Sequence, residues 1–266
     1  MANYENEEML TGGNVSNVYR SEDTVRRELK QGSTKIHKLL NHLENKGFSY
    51  APKFLGIDDK DREILSFIEG KAGNYPLKEY MWSNDVLKEI AKILRLYHDA
   101  VSDFPLSDDW KPMDNTPNKI EVVCHNDFAI YNIIFNNEKP VGIIDFDVAG
   151  PGPRPRLWDI AYTLYTCVPL SRVYYTETGE AVYYNSLQHA DRIKQRVKLF
   201  FESYKSEGMN ENYLEMVLLR LEGLCKYMKR KAKEGDMNFQ KMIDEGHLEH
   251  YENDIKFIRE HGREWM

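Results

Sequence analysis

The chain has 266 residues, 41% of them hydrophobic, and 43 acidic against 36 basic side chains leave a formal charge of −7; that is room for one large domain or two lobes, and a poor match for nucleic acid. No apolar run approaches the ~20 residues of a membrane span, and the acidic start "MANYENEEML" lacks the basic and apolar regions of a signal peptide. Cys124, Cys167 and Cys225 are odd in number and form no Cys-x-x-Cys pair, so they read as reduced thiols of a cytoplasmic protein.

Up to about Gly70 the pattern is strand-like with one helix. "NVYRSEDTVRRE" reads as a hairpin turning at Ser21-Glu22-Asp23. "STKIHKLLNHLENKG" places Ile36, Leu39, Leu40 and Leu43 at helical spacing, with Ser33 or Thr34 as N-cap and Gly47 as the stop. "KFLGIDDKDREILSFIEG" reads as a second hairpin, turning at Asp58 to Asp61, and "KAGNYP" reads as a linker. Helices dominate from there. Val86, Ile90, Ile93 and Tyr97 make one apolar stripe, and Ala190, Ile193, Val197, Phe200 and Tyr204 a second; Tyr213 to Met228 makes a third. The fold class expected is α+β, with a small β-rich lobe over residues 1–69 and a larger helical lobe over 70–266.

One stretch departs from this ordinary patterning. In "IEVVCHNDFAIYNIIF" an apolar strand runs into His125, Asn126 and Asp127, and a second apolar run starts directly after Asn132. "NNEKPVGIIDFDVAG" then supplies a turn at Asn136 to Pro140 and a return strand, Val141 to Ile144, which brings Asp145 back beside Asn132. Asp127 or Asn132 alone would read as an Asx-turn residue. Together, Asp127, Asn132 and Asp145 converge as three oxygen-bearing side chains on one small volume. Hard cations such as Mg²⁺ take oxygen ligands from one or two carboxylates plus substrate phosphates. Phosphoryl transfer adds a separate carboxylate to orient and deprotonate the attacking hydroxyl. The order His-x-Asp, four residues, Asn, then Asp-Phe, is that of a kinase catalytic loop and metal segment.

On these motifs the chain resembles the aminoglycoside phosphotransferase family, small-molecule kinases of the protein-kinase-like fold. "LTGGNVSNVYR" resembles its nucleotide loop, "LSFIEG" its hinge, "CHNDFAIYN" its catalytic loop, "IIDFD" its metal segment and "RLWDIAY" the helix behind it. The resemblance implies Asp127 as the catalytic base, Asn132 and Asp145 as Mg²⁺ ligands, and Asp147 as a further metal or substrate contact. Gly12, Gly13, Ser16 and Asn17 would approach the phosphates of ATP or GTP, Ser66 and Ile68 would face the base through backbone groups, and Asp159 would brace the catalytic loop. Asp159 also reads as a first-turn helix carboxylate. The pattern is broken at three places. "DTVRRE" has no lysine where such folds carry one on the third strand; alternation favours Arg27 for the phosphate contact, with Arg26 second. Its helix partner is open between His37 and Glu44. Asn126 stands where the family has glycine, and "GPGPRPR" is unlike the usual family sequence.

The resemblance implies a hydroxyl acceptor, foremost a cationic aminoglycoside, with choline- or homoserine-like metabolites as alternatives. A nucleotide-binding module without turnover is the reading of a different class, motivated by the missing lysine. Asp159, Asp191, Glu202 and Glu222 are acids of the helical lobe, none of them assigned to the acceptor. His247 and His250, one helical turn apart with no third ligand, read as a solvated helix face.

Overall fold

The computed structural model describes residues 7–10, 18–117, 120–153, 156–205 and 212–266. The expected glycine loop residues Gly12, Gly13, Ser16 and Asn17 lie outside them. The chain begins with β1 (Glu8–Leu10), β2 (Val18–Ser21), β3 (Thr24–Glu28), α1 (Ser33–Asn45), β4 (Phe54–Ile57) and β5 (Arg62–Ser66). The strands form one antiparallel sheet in the order β1-β2-β3-β5-β4. Both hairpins fall where the turn residues place them. In the second, Asp58 Oδ1 accepts from the amides of Lys60 at 3.0 Å and Arg62 at 2.9 Å, an Asx-type turn.

α1 buries Ile36, Leu39, Leu40 and Leu43, the stripe its spacing predicts. Its cap differs from the expectation. Gly32, in the left-handed region at φ 96°, precedes the helix, and Ser33 is its first residue. The Ser33 hydroxyl instead accepts from the Lys30 amide at 2.9 Å, tying the loop after β3 to the helix start.

"KAGNYP" is less free than a linker. Lys71–Ala72 is β6, paired with β8 (Ile133–Asn136), and β8 pairs with β9 (Lys139–Ile143) to give the order β6-β8-β9. A Cβ on Gly73 would fall on the Ile130 carbonyl, so this position admits only glycine if the crossing segment is to lie against the catalytic loop. The β8–β9 turn is shorter than expected. Asn137 and Glu138, at φ 48° and 63°, are its two left-handed residues, as tight hairpins with right-handed twist require.

Between these elements lie α2 (Asn84–Ala100) and β7 (Ile120–Cys124). α2 opens on Ser83, whose hydroxyl accepts from the Val86 amide at 3.2 Å, and buries Val86, Ile90, Ile93 and Tyr97. The segment "GPGPRPR" contributes β10 (Gly150–Pro153), antiparallel to β7. Its glycines are a packing requirement: a Cβ on Gly152 would fall on Cys124 Sγ. α3 (Leu157–Cys167) follows, buried on every side. Then come the hairpin β11 (Val173–Tyr175) and β12 (Ala181–Tyr183), which carries no strong sequence signal, and α4 (Ser186–Tyr204), α5 (Tyr213–Lys233), α6 (Met237–Asp244) and α7 (His247–His261). One continuous core runs from Leu39, Leu40 and Leu43 of α1 through Tyr97, Phe128 and Trp158 to Phe200 and Leu221. Truncating such a residue, as in Leu39→Ala, costs about 2–5 kcal/mol. The loop after β7 rests on this core through Phe128, Ala129 and Ile130.

Candidate active site

The loop after β7 is held from below by one carboxylate. Asp159, in the first turn of α3 and fully buried, accepts from the His125 amide at 2.7 Å, the Asn126 amide at 2.8 Å and His98 Nε2 at 3.1 Å. Burial pushes its pKa up, but the His98 contact, the His125 side chain and the amide donors outweigh that and hold it below the usual carboxylate range. Both readings of Asp159 hold together, since the helix start is what places it under the loop.

Asn126 is the pivot. Its φ of 65° is the left-handed conformation that glycine adopts freely and asparagine tolerates best among other residues. The substitution therefore keeps the turn and adds contacts: Nδ2 donates to the Val148 carbonyl at 2.8 Å, and Oδ1 accepts from Trp158 Nε1 at 2.9 Å. From α5 the buried Arg220 donates through Nη2 to the Asn126 carbonyl and lies 4.4 Å from the centre of the Tyr162 ring. Arg220 carries no sequence signal, being one basic residue in a helix that ends in several. His125 packs against Phe146 at 4.5 Å and accepts the Asp127 amide on Nδ1 at 3.2 Å. Burial lowers its pKa to about 4, so the ring is neutral at pH 7.

Asp127 emerges from this loop half-buried. Oδ1 accepts from the Tyr131 hydroxyl at 2.6 Å, and Oδ2 from Asn132 Nδ2 at 2.7 Å. Tyr131 and Tyr162 hydroxyls are in turn 2.9 Å apart. Burial, with the Asp145 charge adding to it, raises the Asp127 pKa to about 6 against the opposing Tyr131, Arg220 and Asn132 contacts. A carboxylate titrating there is ionised at neutral pH and close enough to it to take a proton.

Asn132 turns its amide nitrogen to Asp127, which leaves Oδ1 as the group able to ligate a cation. Its carbonyl accepts the Ile144 amide at 3.0 Å, which joins the base of the loop to the metal segment. Asp145 follows at φ 63° and is open to solvent. Crowding by protein and the Asp147 charge raise its pKa, against the pull of Arg27 and Lys30. An amide oxygen and a carboxylate with unmet demand for positive charge fit a hard cation that takes its remaining ligands from phosphate and water. Among the described residues no group of three or more His, Cys, Asp or Glu forms a self-sufficient metal cluster.

The cation of β3 is wired differently from the expectation. Arg27 Nε donates to Glu63 of β5, and Arg27 Nη2 donates to Asp147 Oδ1 at 2.6 Å. Glu63 is buried, and its other oxygen accepts from His37 Nε2 at 2.7 Å; the His37 ring stacks on Phe54 at 3.7 Å. Of the two helix candidates His37 is thus the one joined to Arg27, through Glu63, while Glu44 pairs with Lys53 at 2.8 Å on the surface. Arg26 faces the other way, to Thr24 Oγ1 at 2.7 Å, as alternation requires. Asp147 also receives Lys30 Nζ at 2.7 Å. Burial alone would raise the Asp147 pKa, but Arg27 and Lys30 bring it below the usual value. Glu63 and Lys30 were not singled out in the sequence; for Glu63 the only available signal was an acid inside an otherwise apolar strand.

Ser66 is partly committed elsewhere. Its amide donates to the Lys53 carbonyl at 2.9 Å and its hydroxyl accepts the Lys53 amide at 2.8 Å, so its N–H is not offered to a nucleotide base. Ile68 is half-buried, with side-chain carbons against Gly142. The acids of the helical lobe do not gather at Asp127. Asp159 is under the loop, Glu222 pairs with Arg259 at 2.6 Å, Glu202 lies 3.8 Å from Lys198, and Asp191 is exposed. His250 lies 3.3 Å from Asp254, and His247 3.8 Å from Glu245.

A two-lobed kinase-like architecture is what comparison with known proteins also returns. Residues 110–199 match the model of the Phosphotransferase enzyme family (APH). The fold is that of aminoglycoside 2'-phosphotransferase-IIIa, solved with GDP, at TM-score 0.61 and 16% identity over 95% of this chain and 93% of that one. It is equally that of a choline kinase from Cryptosporidium parvum Iowa II, at TM-score 0.61 and 13% identity over 97% and 90%. A choline/ethanolamine kinase family protein from Mesorhizobium loti follows at TM-score 0.54 and 12% identity over 96% and 93%. A curated relative, the Trifolitoxin immunity protein of Rhizobium leguminosarum bv. trifolii, is 37% identical over 148 residues, 53% of this chain and 55% of that protein. The match thus spans about half the length of that relative. Over residues 110–199 the chain thus matches the phosphotransferase family model, on a fold that it shares with these solved kinases and phosphotransferases. Among the described residues no helix is long and apolar enough to cross a membrane.

Proposed function

We propose that this chain is a cytoplasmic kinase that transfers the γ-phosphoryl group of ATP or GTP to a hydroxyl of a small molecule. Residues 1–69 form its nucleotide lobe and 70–266 its catalytic and acceptor lobe. The observation that carries the reading is the Asp127 carboxylate, held at a pKa of about 6 and hydrogen-bonded to Asn132, whose carbonyl in turn anchors the segment bearing Asp145. Asp127 orients the acceptor hydroxyl and takes its proton. Asn132 and Asp145 hold Mg²⁺, which when bound offsets charge on the transferring phosphoryl group. On this reading Gly12, Gly13, Ser16 and Asn17 serve the phosphates, Arg27 ties β3 to Asp147 on the nucleotide side, and Ser66 and Ile68 border the base.

For the acceptor, an aminoglycoside is the leading class, supported by the likeness to aminoglycoside phosphotransferases, with choline-like amines next. The name of the curated relative favours a second reading, in which the acceptor is a toxin and its phosphorylation is self-protection. The test is transfer from labelled ATP and GTP to aminoglycosides, choline-like amines, neutral sugars and hydroxyl-bearing peptides, at low salt and at ~0.5 M, where the Debye length is well under ~8 Å. A cationic acceptor steered by the acidic surface shows a KM that rises with salt. Turnover confined to neutral or anionic acceptors, with no salt effect, overturns the aminoglycoside class and leaves the kinase standing. Tight Mg-nucleotide binding without transfer to any acceptor favours the non-catalytic module.

A further inference from the structure

The nucleotide side of the cleft holds two cations, and they are held in unlike ways. The Arg27 side chain is 12% exposed and fixed at both ends, Nε on Glu63 and Nη2 on Asp147. Glu63 is itself 1% exposed and clamped by His37, whose ring is stacked on Phe54. Lys30 is 35% exposed. Its backbone is pinned at the start of α1, the amide donating to Ser33 Oγ at 2.9 Å and the carbonyl accepting the Ser33 amide at 3.0 Å. Its ammonium has three donors, and one of them is spent on Asp147 Oδ2 at 2.7 Å.

Resting on the kinase reading above, we infer that Lys30, two residues beyond β3, is the residue whose ammonium meets the nucleotide phosphates, and that Arg27, with Glu63 and His37, is a positioning brace that fixes Asp147 and the strand. The Arg27 guanidinium is fixed in place by two carboxylates, one of them buried, and its side chain is 12% exposed, so it can offer phosphate only the donors those ion pairs leave over and only in the orientation they impose, while turning it further would leave Glu63 or Asp147 uncompensated. The Lys30 ammonium gives up nothing, because a compact point charge can hold Asp147 and a phosphate oxygen at once. Asp147 then works as the hinge between brace and contact, one oxygen on each cation, rather than as a metal ligand. The missing third-strand lysine is thus replaced by a division of labour: the ion pair stays on the strand, and the phosphate contact moves to the loop after it.

The experiment is calorimetric titration of the full chain with Mg-ATP and Mg-GTP, with thermal melting of each unliganded variant. Lys30→Met is expected to weaken nucleotide binding about tenfold or more, the worth of one charge-assisted hydrogen bond, with an unchanged melting temperature; Lys30→Arg retains most of the affinity. Glu63→Gln shows the reverse, a lowered melting temperature with an affinity within a few fold of the parent. A parent that binds nucleotide and a Lys30→Met variant that binds it equally well overturn the assignment and leave the kinase reading intact. So does a Glu63→Gln variant that melts like the parent and loses affinity as Lys30→Met does. A parent that binds neither nucleotide defeats both the assignment and the kinase reading.

Discussion

The loop after β7 and the cation network of β3 both attach to the segment Ile144 to Asp147 and are built on opposite plans. The loop is contiguous chain, Cys124 to Ile133, whose polar groups are tied to a buried floor of Asp159, His98 and Trp158. The network gathers single residues from β3, the loop after it, α1, β5 and the metal segment, with separations of up to 120 positions. The loop is fixed by desolvated hydrogen bonds, each costly to leave unmade. The network is fixed by ion pairs graded from a buried Glu63 to a part-exposed Lys30. A buried, contiguous unit tolerates little change in residue type. A dispersed ionic one can exchange partners while keeping its net charge.

That contrast is open to direct test. Its strongest probe is Asp127→Asn, expected to lower turnover by about 10²–10⁴, the range for a lost general base, while nucleotide affinity stays near the parent value. Steady-state kinetics beside calorimetry separates the two, and parental turnover would remove Asp127 from the mechanism. Asp159→Asn comes next. It turns a buried carboxylate that accepts three hydrogen bonds into a neutral amide with its own donors, and about 3–5 kcal/mol of stability should go with it, read by denaturant unfolding. A loss no greater than that of an exposed salt bridge, about 0–1 kcal/mol, would abolish the distinction between the two regions.

Acid should act on the loop before it acts on the network. Burial depresses the pKa of both His98 and His125, the latter to about 4 from an ordinary 6.5. The unfolded chain therefore binds protons that the folded one refuses. The His125 contribution is full above about pH 6.5 and is lost as pH drops toward 4, on the order of 3 kcal/mol across that window, while Asp127, raised to about 6, works in the opposite sense over the same range. Unfolding free energies of the parent and of His125→Gln, measured between pH 7 and pH 4, check this: the difference between the two should shrink by about 3 kcal/mol as pH falls, and a difference that does not change with pH would place the proton-linked loss elsewhere. Smallest is the pivot. Asn126→Gly keeps the left-handed turn but leaves Trp158 Nε1 unpartnered, for about 1 kcal/mol; Asn126→Ala adds backbone strain and costs about 2 kcal/mol or more. Equal losses in the two variants would mean that hydrogen bonding alone, and not conformation, selects asparagine.

How much of this was legible in the sequence follows the same division. The stripes of α1, α2 and α4 and the turns at Glu22-Asp23 and Asp58 to Asp61 express periodicity and turn chemistry within a few residues, and they were readable as such. The proximity of Asp127, Asn132 and Asp145 was legible for the same reason: hairpin pairing of β8 with β9 converts sequence spacing into nearness in space. Gly32 as the start of α1 and β10 in "GPGPRPR" were not, because the first depends on a left-handed residue that a neighbouring serine masks, and the second on a strand partner far back in the chain. Glu63 and Arg220 are intelligible only once distant elements are packed together. The choice between His37 and Glu44 was undecidable from the helix alone, since the residue that connects His37 to Arg27 lies on another element.

The burial of the three cysteines has a practical consequence. Cys124, Cys167 and Cys225 are free and buried, and burial pushes their thiols up, Cys167 to about 12 and Cys225 to about 11. Nucleophilic thiolate is therefore scarce at physiological pH, and a disulfide-exchange reagent has to wait for the protein to open. Cys225 lies on α5, and Cys124 is the last residue of β7, its sulfur against Gly152. Their labelling rates are two clocks built into the chain, one for breathing of the helical layer and one for exposure of the catalytic floor. A bound ligand that stiffens the cleft will slow the second before the first, which reports occupancy without any assay of turnover.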